Sequence, residues 1–174
     1  MTQGTLHLRD EHVLGSGDAE DIGVEDTQNV DPAGLEFGAQ ALARALGGSV
    51  APGPRAEIGY TWITSDDESL VPGGPWFQWH YDRFTVPPGA VEIARNPLAS
   101  QAYVIGRSLA VQFHPEVTTA CLRGWLDEGG LEEAQEDGVD PDELLAFTVR
   151  EEPKAIQRAH ALVDAFLDRI AVDS

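Results

Sequence analysis

The sequence predicts an α/β domain. Stretches of strand character alternate with stretches of helical periodicity, and Leu109-Ala110-Val111 is continuously apolar, as a strand inside a covered sheet would be. The tail repeats apolar residues at helical spacing, which suits a helix lying on that sheet.

Taken in order, the chain opens on two short strand-like pieces, Leu6-His7-Leu8 and His12-Val13-Leu14. From Gly15 to Pro32 it is rich in Gly, Asp, Glu, Asn and Gln and poor in large apolar residues. Such a stretch buries little area to offset its ordering entropy, so residues 1–33 are expected to be the least ordered part. Ala39 to Leu46 reads as a helix with Leu42, Ala45 and Leu46 on one face and Gly47-Gly48 as its stop. A loop at Ala51-Pro52-Gly53-Pro54 leads to strands at Glu57–Ile63, Phe77–Trp79 and Val91–Ala94, the last two separated by the turn Pro87-Pro88-Gly89. Ala102–Ile105, Gly106-Arg107-Ser108 and Leu109–Phe113 form a hairpin that delivers the chain to His114-Pro115-Glu116. Thr118 to Arg123 reads as a helix start. Asp140-Pro141-Asp142-Glu143 has an N-cap, a Pro at the first helical position and early acids, and Ile156, Ala159, Val163, Phe166, Leu167 and Ile170 then recur as the docking face of a last helix.

Composition excludes several functions. Of 174 residues, 30 are acidic and 11 basic, a formal charge of −19 that repels phosphate backbones and anionic lipid. No apolar run approaches the roughly 20 residues that span a bilayer, and no secretory leader is visible, so a cytoplasmic protein is expected. The single cysteine, Cys121, forms no intramolecular disulfide and no multi-cysteine metal site.

Three segments carry chemistry. Gly34-Leu35-Glu36-Phe37-Gly38-Ala39-Gln40 has paired glycines at a helix start, the pattern of a turn that lifts its central side chain into a site and offers backbone amides to an oxyanion. Gln112-Phe113-His114-Pro115-Glu116 ends a strand in a histidine with a carboxylate two residues on, able to orient the ring as a base. Trp76-Phe77-Gln78-Trp79-His80-Tyr81-Asp82 sets a histidine among aromatics. No metal-binding spacing accompanies them, and neither a metal nor a cofactor is expected.

In this order the segments resemble the class I glutamine amidotransferases. GLEFGAQALARALGG is similar to that family's nucleophile turn and helix, with EIGYTW following. FQWHYDRFTVPPGA is similar to its His-x-Asp strand, and LAVQFHPEV to the signature of its catalytic histidine and glutamate. The likeness spans Gly34 to Trp125, and the tail resembles the helical C-terminal extension of one bacterial branch. It implies a flavodoxin-like α/β fold, with residues 1–33 a shortened N-terminal part, 34–126 the amidotransferase-like core and 127–174 a helical extension. It also implies His114 as base and Glu116 as its orienter, with Leu35, Phe37, Gly38, Gln40 and His80 around a bound glutamine or related small molecule. A synthetase or other protein partner is left undefined.

The family's cysteine falls at Glu36. A carboxylate attacks an unactivated amide poorly, and its charge repels a developing oxyanion, so glutamine hydrolysis is expected to be impaired or lost. Cys121 lacks flanking glycines and reads as structural. Asn29-Val30-Asp31-Pro32-Ala33 is a poor buried strand, so a shortened gene product stands beside a non-catalytic binding module as an alternative.

Overall fold

The computed structural model describes residues 33–171, with side chains from Gly38 onward. The pieces Leu6–Leu8 and His12–Leu14 and the stretch Gly15–Pro32 lie outside the described residues. Five strands form one sheet: β1 (Val50–Ser65), β2 (Gly74–Phe84), β3 (Val91–Arg95), β4 (Ser100–Ile105) and β5 (Ser108–Val111), in the order β2-β1-β3-β4-β5. Every neighbouring pair is antiparallel. β1 is the long member. Its body pairs with β2, and only Thr64 and Ser65 reach β3, so the sheet curls where one strand passes between two partners.

The Pro/Gly segment predicted as a loop lies inside β1. Register slips between Pro52, opposite Asp82, and Glu57, opposite His80, which makes a bulge. Proline is tolerated in a strand where the ladder asks for no N–H, and a bulge is such a place. The turn before β3 closes as read: Ala90 N–H donates to the Pro87 carbonyl at 3.1 Å, with Gly89 at φ 83° supplying the left-handed position.

One helix, α1 (Ala33–Ala45), packs on one face. It begins six residues before the predicted Ala39 and takes Gly34 to Gly38 into its first turns, so Glu36 lies on the helix itself. Its end is a Schellman motif. Gly48 N–H reaches the Ala43 carbonyl at 2.8 Å and Gly47 N–H that of Arg44 at 3.3 Å, with Gly47 at φ 90°. The inward face is Ala39 and Ala43, not Ala45 and Leu46, both of which are exposed. Small residues win there because Phe84, Tyr103 and Ala110 stand close beneath the helix, and the buried Tyr103 hydroxyl donates to the Ala39 carbonyl at 3.0 Å.

The remaining helices cover the rest of the core: α2 (Thr119–Trp125), a π-type turn at Leu126–Gly130, α3 (Leu131–Glu136) and α4 (Pro141–Arg169). Thr118 caps α2 by accepting from Cys121 N–H, and Asp140 caps α4 by accepting from Asp142 and Glu143 N–H. Glu152 of α4 accepts from the Thr119 N–H at 3.1 Å and its hydroxyl at 2.6 Å, tying the two helices through a free amide of α2. α4 docks through Leu144, Thr148 and Leu162, with Ala165 and Ile170 beside them. Of the predicted face, Ile156, Val163 and Leu167 point to solvent instead. The helix carries two apolar stripes, and periodicity alone does not say which one meets the sheet. No helix among the described residues is long and apolar enough to cross a membrane.

Candidate functional site

His114 is held from both ends. Beyond β5, Gln112 N–H donates to the Gln101 carbonyl at 2.8 Å, and His114 N–H donates to the Phe77 carbonyl at 2.9 Å. The histidine is thereby fixed to the backbone of β2, and its ring is fully buried. Phe77 and Trp125 meet it edge-on, at centroid separations of 6.4 and 5.4 Å. Nδ1 lies 2.9 Å from Glu116 Oε1 across the stiff Pro115 turn. A carboxylate accepts the Nδ1 proton and so favours the tautomer with a lone pair on Nε2. That Nε2 is buried and has no hydrogen-bond partner among the described residues.

His80 is the second buried histidine, 1% exposed on β2. Nδ1 is 3.1 Å from the Asp82 carbonyl, and Nε2 is 3.0 Å from the Gln78 amide, which continues to Gln101 at 2.9 Å. Burial first, then the charges of Arg83 and His114, push its pKa down to about 4. Gln78 presents Oε1 to His80 Nε2 and donates its NH2 to Gln101 Oε1, so one side-chain amide links the ring to β4. Alongside, Glu57 Oε2 lies 3.6 Å from both His80 Nε2 and Arg83 Nε, while Asn96 donates to Glu57 Oε1 at 2.5 Å and Arg83 donates to the Arg55 carbonyl at 2.7 Å.

Of the other residues singled out in the sequence, Gln40 is buried on α1 and its amide reaches toward the Asp82 carbonyl at 3.4 Å, the same carbonyl that His80 uses. Gly38 is exposed, with open space where a Cβ would stand. The side chains of Leu35, Glu36 and Phe37 fall outside the described residues. Cys121 is half-buried in the first turn of α2. Among the described residues no group of three or more His, Cys, Asp or Glu side chains is arranged to hold a metal ion.

Sequence reasoning passed over Glu57, Gln78, Gln101 and Gln112, all buried polar residues of the same region. A signal was present. Gln78 and His80 alternate with Phe77 and Trp79, so on a strand their polar groups share one face. On that face lies Phe84, which packs under α1.

The chain is similar to glutamine-hydrolysing GMP synthases. It is 40% identical to that of Thermus thermophilus over 92 residues, 48% of this chain and 18% of the relative. It is 32% identical to that of Aeropyrum pernix over 132 residues, 68% of this chain and 26% of the relative. It thus spans about a fifth to a quarter of the curated relatives it matches. No protein-family model matches the sequence. Two solved structures share the fold. A glutamine amidotransferase of Methylobacillus flagellatus matches with a TM-score of 0.69 at 26% identity, over 79% of this chain and 62% of the other. One of Thermotoga maritima matches with a TM-score of 0.67 at 28% identity, over 79% and 60%. Likeness in sequence and in fold therefore agree, and the chain belongs to the class I glutamine amidotransferase family.

Proposed function

We propose that this protein is a class I glutamine amidotransferase-like chain that has lost glutamine hydrolysis while keeping the histidine–glutamate half of the site. Residues 34–126 form its core and 127–174 its helical extension. The observation that carries the reading is the contrast between Glu36, where the family resemblance puts the nucleophile, and His114, still joined to Glu116 at 2.9 Å. An oriented imidazole can take a proton, but hydrolysis of an amide by this route needs a thiolate to attack the carbonyl. A carboxylate there yields at best a high-energy anhydride.

The ligand is glutamine or a related small amide. The relatives named glutamine-hydrolysing support that class, and so does a buried His114 Nε2 that bonds to none of the described residues. A site that retains its base without its nucleophile suits binding without turnover. Whether a synthetase works beside this chain follows only from the relatives, whose remaining length this chain does not match.

The test is an ammonia-release assay on the purified chain beside Glu36→Cys. The parent protein should release none above background. The variant should become labelled at residue 36 by a glutamine-mimicking electrophile, with Cys121 left unlabelled. Parent turnover that disappears on mutating His114 contradicts the loss of activity. Label on Cys121 alone contradicts the retained site.

A further inference from the structure

We propose that the outer face of α4 is a self-association surface, through which two copies of this chain pair their α4 helices antiparallel. Val149, Ile156, Val163 and Leu167 are 49, 41, 50 and 53% exposed. With the exposed Pro153 and His160 between them they recur at alternating steps of four and three, the spacing of a seam between two helices. The stripe lies on the side of α4 turned away from Leu144, Thr148 and Leu162, and it runs about 27 Å at 1.5 Å per residue. Single exposed apolar residues are ordinary on a protein surface, whereas a continuous row of this length marks a contact.

Two features select a second copy as the occupant. First, the stripe matches itself when reversed: Val149 comes opposite Leu167, Pro153 opposite Val163, and Ile156 opposite His160. Second, the charges beside it are complementary under the same reversal. Arg150 lies on one flank near the start of the stripe, and Asp164 and Asp168 lie on that flank near its end. None of the three forms an ion pair within the chain among the described residues. Antiparallel pairing sets Arg150 of each copy between Asp164 and Asp168 of the other, twice per dimer by symmetry. Parallel pairing would set that flank against Glu152, Ala159 and Phe166, with no cation for the aspartates. A seam of one helix per copy is at the small end of protein interfaces, so the dissociation constant falls in the micromolar range.

Sedimentation of the full chain over roughly a hundredfold range in the micromolar region decides this, at about 0.15 M salt so that the net charge is screened within about 8 Å. The expected result is a monomer–dimer equilibrium. Ile156→Glu with Val163→Glu should give a monomer whose circular dichroism and melting match the parent, because both side chains face solvent. Arg150→Asp alone, and Asp164→Arg with Asp168→Arg alone, should each weaken self-association about tenfold, and mixing the two variants should restore it. A parent chain that stays monomeric throughout, or a dimer indifferent to the two glutamates, overturns the proposal, as it would if residues 1–32 or a different protein covered the stripe. A mixture that associates no better than its components overturns the antiparallel arrangement.

Discussion

His80 stands on β2 and His114 just beyond β5, hydrogen-bonded to the β2 backbone; both are nearly inaccessible to solvent, yet their rings are bonded differently. Both ring nitrogens of His80 are engaged, one by a backbone carbonyl and one by an amide. Its burial and the neighbouring Arg83 hold it neutral. His114 uses one nitrogen, on Glu116, and its other nitrogen has no hydrogen-bond partner among the described residues. A ring with both nitrogens bonded offers no further atom to a ligand, whereas one oriented by a carboxylate at Nδ1 keeps Nε2 for the role proposed above. Burial of a histidine therefore says little by itself.

The largest effect that would break this contrast comes from removing His80. His80→Ala leaves a cavity and strips Gln78 and Glu57 of a neighbour in the interior, so it should lower unfolding stability by about 3–4 kcal/mol. Urea unfolding measures it, and a loss under about 1 kcal/mol would mean that the network is dispensable.

A second, slightly smaller effect is pH-dependent. The folded pKa of His80 is about 4, below the ordinary value of 6.5 for an unfolded chain. Between these values the unfolded chain binds the extra proton. Stability contributed by the neutral ring is therefore complete above about pH 6.5 and is lost as pH falls toward 4, by on the order of 3 kcal/mol. Stability followed across that window should slope downward toward acid in the parent and flatten in His80→Gln. Equal slopes would place the acid sensitivity elsewhere.

Glu116→Gln sharpens the other side of the comparison. It keeps an acceptor for Nδ1–H but removes the charge, so stability should change by only about 1 kcal/mol. In the Glu36→Cys background, by contrast, labelling of the thiol should slow at least tenfold as the imidazole loses its orienting carboxylate. Undiminished labelling would show that Glu116 does not act through His114.

The smallest effect is at the rim, far from either histidine. Arg169 donates to Asp67 at 2.7 Å and, with Ser69, holds the Asp67 carboxyl below its usual range, but both partners are partly exposed. Arg169→Ala should leave unfolding stability nearly unchanged, because water screens the pair. Thermal unfolding that shows a clear loss would make the clasp between α4 and the loop after β1 a structural element.

What the sequence determined by itself was local or carried by dense motifs. The strands β2, β3 and β4, the Gly106-Arg107 turn and the Asp140 cap follow from alternation, turn residues and capping chemistry, which act over a few residues. The pairing of His114 with Glu116 was legible for the same reason, since the partners are two residues apart. Tertiary structure decided the rest. Pro52 and Gly53 look like a loop until a neighbouring strand accommodates them as a bulge. Ala39 and Ala43 displace Ala45 and Leu46 from the interface because the space under α1 is shallow. Glu57, distant in sequence from His80 and Arg83, joins them only when β1 lies against β2. α4 offers two apolar stripes, and the position of the sheet chose Leu144, Thr148 and Leu162 while leaving Ile156 and Val163 outside. Periodicity states that a helix has a face. Which face is buried depends on the shape and distance of what it meets, and that is set by chain segments the local pattern does not contain.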